Sequence, residues 1–363
     1  MHEIQQFARR RSLSVASMAS LRVYVSEWEN ERRKISADYA AILRNLVGLT
    51  DDELFRADEA ADPPDDGYAR LIQQLDASSA VGRSMVEALT GQTELLRTLD
   101  RQCGAARLVD QMHSHLGKLQ ECLSFTVLPE SRRPLARALA EAASLAAWQA
   151  LDVGAADRAW RHYELAKSAA REAEDSLYLA HAMGEQAYVL ADAGRPELGA
   201  RLATEAQRRV ADTAPPRLAA WLAAAEAELW ALSGRSDECR RSLDRADKKL
   251  SLTTGVRDPE LPGIFLDETH LARWRGHSLA LLGDQRAVKE LSTALMSMDR
   301  TFVRAAAGLR CDLAQAHLTW GEPDAAQEHL REARSLTNLT GSVRYRQRVE
   351  RIRKTMAAAT TRP

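Results

Sequence analysis

Residues 187–206 read Ala187-Tyr-Val-Leu190-Ala-Asp-Ala-Gly194-Arg-Pro-Glu-Leu-Gly199-Ala-Arg-Leu-Ala-Thr-Glu-Ala206. The order is a small residue, a bulky one, a turn glycine and two more small residues, and it occurs five times between Ala140 and Ala333. The first copy has Ala147, Ala150, Gly154, Ala159 and Ala166. The third has Ala227, Trp230, Gly234, Cys239 and Ala246. The fourth, one residue shorter after its glycine, has Gly276, Leu279, Gly283, Ala287 and Ala294, and the fifth has Ala314, His317, Gly321, Ala326 and Ala333. Successive turn glycines follow at 40, 40, 49 and 38 residues. Each copy reads as a helix hairpin. Glycine ends the first helix because it takes a left-handed C-cap without steric cost. Asp157, Pro196, Asp237, Asp284 and Pro323 follow within three residues as helix starters. The small residues belong where two helices cross closely. One hairpin cannot bury its apolar face alone, so neighbours must stack.

This pattern resembles the tetratricopeptide repeat, with copies longer than the usual roughly 34 residues. The resemblance covers about half the chain. It implies an all-α fold, a right-handed α-solenoid of tetratricopeptide-like hairpins over 134–357. Composition agrees: hydrophobic content is 45% but aromatic content only 5%, so the core is built from Ala and Leu, which favour helices. Fifty basic residues against 51 acidic ones leave no whole-chain field to draw nucleic acid or membrane. Cys103, Cys122, Cys239 and Cys311 have no paired spacing and fit reduced thiols of a cytoplasmic protein. His2, Glu3 and Gln5 with no apolar run exclude a signal peptide, and no apolar stretch nears the roughly 18 residues that span a membrane.

Residues 1–55 read as a separate helical unit. Ile4, Phe7 and Ala8 share one helical face, Leu21, Val25 and Trp28 a second, and Tyr39, Ile42, Leu43 and Leu46 a third. Within it, Val25-Ser-Glu-Trp28-Glu-Asn30, then Arg32-Arg33, then Tyr39 to Leu49 and Thr50-Asp-Asp-Glu-Leu54 resemble the back part of a phage-repressor-type helix-turn-helix. Such a unit ahead of such repeats resembles a large actinobacterial class of repeat-bearing transcription regulators. By that resemblance Leu21–Asn30 enters the major groove, Arg22, Val23 and Glu27 face bases, and Arg32, Arg33 and Lys34 lie by phosphates. Eight Lys/Arg against five Asp/Glu in residues 1–50 give a mild positive excess. The pattern departs from the family in two places. Glu31 stands where the family has glycine, and only 20 residues precede Leu21 where the family has two helices. A helix is therefore missing or the first one is improvised.

Residues 56–68 read as an acidic, proline-bearing linker. Residues 69–128 read as two long helices, one over 69–100 with Leu71, Leu75, Val86, Leu89, Leu96 and Leu99 inward, and one from about Ala105 to Phe125. They are either a dimer or linker element or ordinary packing within one chain. The irregular stretch Thr253–Pro262 reads as a tolerated insertion. Thr340–Met356, with Arg344, Arg346, Arg348, Arg351, Arg353 and Lys354 over a thin apolar face, reads as a basic capping helix at the solenoid's end.

There is no nucleophile elbow, P-loop, dinucleotide fingerprint or zinc motif, so neither an enzyme, a cofactor nor a metal is expected. His270 and His277 fall two turns apart on one helix face, too far to share one ion without a third ligand between them. A binding groove is expected instead. Tetratricopeptide solenoids line their concave side from each first helix. Carried over copy by copy, the resemblance places Ser144, Trp148 and Asp152; His181, Tyr188 and Asp192; Trp221 and Glu228; His270, Arg273 and His277; and Cys311 and Gln315 there. Rings with a few charges suit a peptide or a small amphipathic ligand, though Trp148 and Trp221 read equally as inter-repeat core. The expected whole is a transcriptional regulator, binding a DNA operator as a homodimer and sensing a peptide, small-molecule or protein ligand. Its plan resembles the peptide-sensing regulators of Gram-positive bacteria. The alternative is an adaptor whose repeats bind a partner protein beside a vestigial DNA-binding unit.

Overall fold

The structure, a computed structural model, describes residues 2–10, 15–29, 35–47, 67–79, 82–255, 258, 261 and 263–360. The chain divides into two compact units, residues 1–72 and 73–363.

The first unit holds α1 (His2–Arg10), α2 (Met18–Glu29) and α3 (Ala37–Val47). Ser17 starts α2: its hydroxyl accepts from the Ser20 amide at 3.2 Å, satisfying one orphan donor of the first turn. Ile4 and Ala8 of α1, Leu21 of α2 and Ala40 and Ile42 of α3 are buried, as the 3.6-residue periodicity dictates. Tyr24, Trp28 and Tyr39 pack ring against ring with centroids 5.1–6.2 Å apart. The Tyr39 hydroxyl accepts from the Ala16 amide at 2.8 Å. Arg22 and Val23 are exposed on α2 and Glu27 is half-buried. Arg32, Arg33 and Lys34, the expected phosphate contacts, lie outside the described residues, as do Glu31 and most of the acidic linker.

The boundary between units falls inside α4 (Gly67–Ser79). The single long helix expected over 69–100 is two: α4, then α5 (Arg83–Cys103) behind Gly82. Leu71, expected inward, is exposed. A short 3-10 turn at Ala105–Arg107 delays the next helix, α6, to Val109–Phe125.

Five hairpins follow. They are α7 (Pro129–Asp152) with α8 (Ala156–Glu172), α9 (Ser176–Asp192) with α10 (Pro196–Arg209), and α11 (Pro216–Leu232) with α12 (Ser236–Leu250). Then come α13 (Glu268–Leu281) with α14 (Arg286–Ser297), α15 (Val303–Thr319) with α16 (Pro323–Thr340), and a last helix α17 (Val343–Thr360). The second unit is thus an all-α solenoid of tetratricopeptide-like hairpins.

The repeat signature has a direct physical basis. Gly154, Gly194, Gly234, Gly283 and Gly321 all have φ between 71 and 80°. In each copy the amide after the glycine donates back to the second residue of the signature: Ala155 to the Ala150 carbonyl (2.8 Å), Arg195 to Leu190 (2.8 Å), Arg235 to Trp230 (2.9 Å), Asp284 to Leu279 (2.9 Å) and Glu322 to His317 (2.9 Å). This is the Schellman closure, which satisfies the orphan carbonyls of the first helix. The small residues are fully buried at the crossings. A Cβ on Gly199 would stand 2.7 Å from the Ala187 carbonyl oxygen, and one on Gly276 2.6 Å from Leu291.

Two segments outside the repeats behave differently from expectation. The stretch before the fourth hairpin is tied down by Arg217 of α11, which is 1% exposed. Its guanidinium donates to the Gly255 carbonyl at 2.7 Å and to the Leu266 carbonyl. Leu261 within the stretch and Ile264 and Leu266 just after it are buried. The basic helix α17 covers the last hairpin and also reaches the concave side. It buries Val349 and Ile352 against the last hairpin and turns Arg344, Tyr345 and Arg348 inward.

The two ends of the solenoid meet. The Ser342 hydroxyl donates to Asp152 Oδ1 at 2.6 Å, Arg304 holds Asp100 at 2.5 Å, and the turn at Gly104 abuts the Thr340 carbonyl. Helix α5 packs on α7, α15 and α16, and Leu89, Leu96, Leu108, Met112 and Leu116 join the core of the first hairpins. These two pre-repeat helices therefore pack within the chain. No helix among the described residues is long and apolar enough to cross a membrane.

Candidate functional site

The closure leaves a half-open cavity of about 220 Å³ on the concave side. Seven of the thirteen groove residues expected from the repeat register line it: Trp148, His181, Tyr188, Trp221, Glu228, His270 and Arg273. They come from α7, α9, α11 and α13, the first helices of four of the five hairpins. The other six, Ser144, Asp152, Asp192, His277, Cys311 and Gln315, do not line it. Gln315 sits half-buried on α15 away from the cavity, and His277 lies one turn deeper, inside an ion-pair chain.

That chain crosses the repeats. The Tyr188 hydroxyl donates to Glu228 Oε2 at 2.9 Å. His277 Nε2 lies 3.2 Å from Glu228 Oε1, and its Nδ1 2.6 Å from Asp312 Oδ1. Arg348 of α17 binds the same Asp312 oxygen. Burial lowers the affinity of an imidazole for its proton, but the carboxylates of Asp312 and Glu228 outweigh it and push His277 up to about 9. Burial would raise Glu228; the charge and hydrogen bond of His277 bring it down to about 2. His277 is thus a buried imidazolium with both N–H groups donating.

The cavity wall is aromatic and cationic. Trp148 meets Tyr188 edge-on at 5.9 Å, Trp221 meets Trp274 at 5.9 Å, and His181 tilts on Trp221 at 4.8 Å. Trp148 and Trp221 therefore serve both readings: they pack between repeats and also face the cavity. Arg344 lies over Trp148 and Tyr188 at 5.6 and 5.8 Å, close enough for cation–π attraction. Three arginines are neutralised in place: Arg97 by Glu141 at 2.8 Å, Arg304 by Asp100 at 2.5 Å and Arg344 by Asp192 at 3.0 Å. Arg101 stacks on Phe265 and Phe302 at 5.6 and 5.3 Å.

Five lining groups keep a buried polar atom with no hydrogen-bond partner in the protein: Asp100 Oδ1, Glu185 Oε2, His270 Nε2, Arg273 Nε and Arg304 Nη1. Such atoms are costly to bury and cluster at functional sites. Burial pushes Glu185 up to about 8 despite the nearby Arg97 and Arg304, and burial, helped by Arg97, pushes His181 down to about 3. The 3.7 Å approach of His181 to Glu185 is therefore a neutral contact at pH 7, not an ion pair.

Sequence reasoning missed Arg97, Asp100 and Arg101 on α5, Gly263 and Phe265 behind the insertion, Phe302 and Arg304 at the start of α15, and Arg344 and Tyr345 on α17. It also missed Leu145, Glu185, Trp274 and Ala305 on the first helices of the hairpins. The residues of α5, of the stretch before α13 and of α17 lie outside the repeats, and the repeat period carries no information about what folds across its open side. The basic run of α17 was the one available signal. Among the described residues, no group of three His, Cys, Asp or Glu side chains is placed to hold a metal ion. His270 Nδ1 pairs with Asp267 at 2.8 Å, and His277 is taken by Glu228 and Asp312.

No family model and no curated protein matches the chain. Solved structures do. A crystal structure of Rap protein complexed with competence and sporulation factor matches at 13% identity and a TM-score of 0.53, over 93% of this chain and 92% of that one. BtubC (BKLC) from P. vanneervenii matches at 14% identity and a TM-score of 0.44, over 65% of this chain and 92% of that one. A Podosopora anserina putative kinesin light chain with nearly identical TPR-like repeats matches at 15% identity and a TM-score of 0.36, over 55% and 94%. At these identities the likeness is one of fold: the chain is an all-helical solenoid of tetratricopeptide-like repeats.

Proposed function

We propose that the protein is a ligand-responsive transcriptional regulator. Its solenoid binds a peptide or small molecule in the concave cavity, and its N-terminal unit contacts a DNA operator as a homodimer. The observation that carries the ligand half is the cavity wall of rings and charges with five unpartnered buried polar atoms. Ligand pockets have this composition: mostly rings and apolar surface, with a few convergent polar groups that fix orientation. The solved Rap structure, similar in fold over nearly the whole chain, is itself a complex with a factor.

The DNA half rests on the helix-turn-helix resemblance, with Arg22 and Val23 exposed on α2 in support. Exposure is what a base-reading residue needs, since an arginine reads guanine bidentately from a free helix face. The two halves couple through the solenoid. A ligand that prefers one packing of the hairpins shifts the population toward it.

The experiment is binding of the full chain to genomic fragments at two salt concentrations. The proposal expects sequence-selective binding that weakens with log salt and is weakened by about 1–3 kcal/mol in Arg22→Ala. Absence of binding at low salt contradicts the DNA half and favours an adaptor whose repeats bind a partner protein; pull-down with the full chain then becomes the next step.

A further inference from the structure

The cavity wall specifies its ligand more closely than "peptide or small molecule". The inference rests on the ligand-site reading above. Of the five arginines lining the cavity, Arg97, Arg304 and Arg344 are each held by a carboxylate of the protein, and Arg101 lies on two phenyl rings. Arg273 differs. Its guanidinium stands over the Trp274 ring at 5.4 Å, its Nε is buried without an acceptor, and among the described residues it forms no ion pair. Glu228, the nearby acid, is already engaged by His277 and Tyr188.

Three residues earlier on the same helix stands His270. Its Nδ1 is 2.8 Å from Asp267, and this carboxylate fixes the tautomer: Nδ1 carries the proton and donates. Its Nε2 is then a lone pair, buried, unpartnered and lining the same cavity. Residues i and i+3 lie side by side on a helix. The wall therefore offers a cationic donor and a neutral acceptor side by side, in a cavity also lined by Trp221 and Trp274.

We propose that this pair recognises an N-acylated aromatic amino acid unit: its carboxylate accepts from Arg273, its own amide N–H donates to His270 Nε2, and its ring packs on the tryptophans. Carboxylate and amide N–H are joined through one carbon in such a unit, so adjacent complementary groups suit it. A monoanion fits better than a phosphate dianion, because Asp100 and Glu228 share the wall and only one guanidinium is uncommitted to a ring pair or a carboxylate. The unit has two sources, the C-terminal residue of a short peptide or a free N-acyl amino acid.

The test titrates the full chain with N-acetyl-L-tryptophan, its primary amide and indole-3-propionate, followed by ligand-observed NMR. The amide lacks the charge, and the propionate lacks the N–H. N-acetyl-L-tryptophan is expected to bind best, with each analogue weaker by about tenfold, the worth of one hydrogen bond to a buried charged or unpartnered group. Arg273→Gln is expected to bring N-acetyl-L-tryptophan down to the level of its amide while leaving amide binding unchanged, which also shows that the variant folds. His270→Phe is expected to remove the preference for N-acetyl-L-tryptophan over indole-3-propionate. Ala-Ala-Ala-Trp with a free carboxylate separates the sources: tighter binding than N-acetyl-L-tryptophan assigns the peptide, and weaker binding the small acid. Equal affinity for acid and amide, or an acid preference that survives Arg273→Gln, overturns the assignment. Failure of all the probes overturns it as well, and leaves the cavity itself to be judged by the library measurement that closes the Discussion.

Discussion

At the scale of single residues, the inner surface is organised by groups that do not hold their ordinary charge. His277 is a charged imidazole between Glu228 and Asp312, and Glu185 is a protonated carboxyl. The signs give a pH profile. A base whose folded pKa is raised stabilises fully below its unfolded value near 6.5 and loses that contribution as pH rises through about 9. An acid whose folded pKa is raised behaves alike: Glu185 costs progressively more stability between its unfolded value near 4.5 and about 8. Stability should therefore fall as pH rises from 6.5 to 9, as read from melting temperature. Glu185→Gln keeps the shape without the charge and should flatten the part of the fall that lies below pH 8. His277→Ala leaves two carboxylates buried and should cost about 3–5 kcal/mol, read by denaturant unfolding at pH 7. The register of the repeats brought seven of thirteen side chains to the cavity because the first helices repeat the same face. It could not distinguish a cavity-facing His270 from a network-bound His277, since both lie on one stripe of α13.

At the scale of elements, the two kinds of conserved spacing in each hairpin do different work. Gly194 has a φ of 76° with nothing near its Cβ position, whereas Gly199 is helical and faces the Ala187 carbonyl oxygen. Gly194→Ala should cost about 1 kcal/mol of left-handed strain. Gly199→Ala should cost more, about 2–3 kcal/mol, because two helix backbones must separate, although alanine is the better helix former. Unfolding midpoints of the two variants check the order. The hairpins were legible in sequence because glycine, starter and small residues each answer one local steric demand. The break between α4 and α5 was not read, although no leucine lies between Leu75 and Leu89 and Gly82 falls in that gap. The direction of α17 was not either: a stripe of Val343, Val349 and Ile352 says which face is apolar, but not that Arg344 and Arg348 find Asp192 and Asp312 across the concave side.

At the scale of the molecule, the second unit is a solenoid whose ends are joined. A repeat array is quasi-one-dimensional, each hairpin touching its neighbours. Here Ser342 to Asp152, Arg304 to Asp100 and Arg344 to Asp192 link the last elements to the first two hairpins and to α5. Arg344→Ala with Arg348→Ala should speed hydrogen exchange in α17 and α5 while sparing α10 and α12, since the outer helices take no part in the closure. Such a closed array can couple a ligand to distant elements. The cavity wall is shared by five first helices, α5 and α17, and a ligand with differential affinity for one packing moves the population of all of them.

The central claim is that this cavity is a binding site. Its most direct test is a thermal-shift screen of the full chain against a library of short peptides and aromatic acids, run beside Ala305→Phe, which fills the cavity from α15. The account predicts members that raise the melting temperature of the wild-type chain and leave Ala305→Phe unmoved. Equal shifts in both proteins, or none in the wild type, would contradict it.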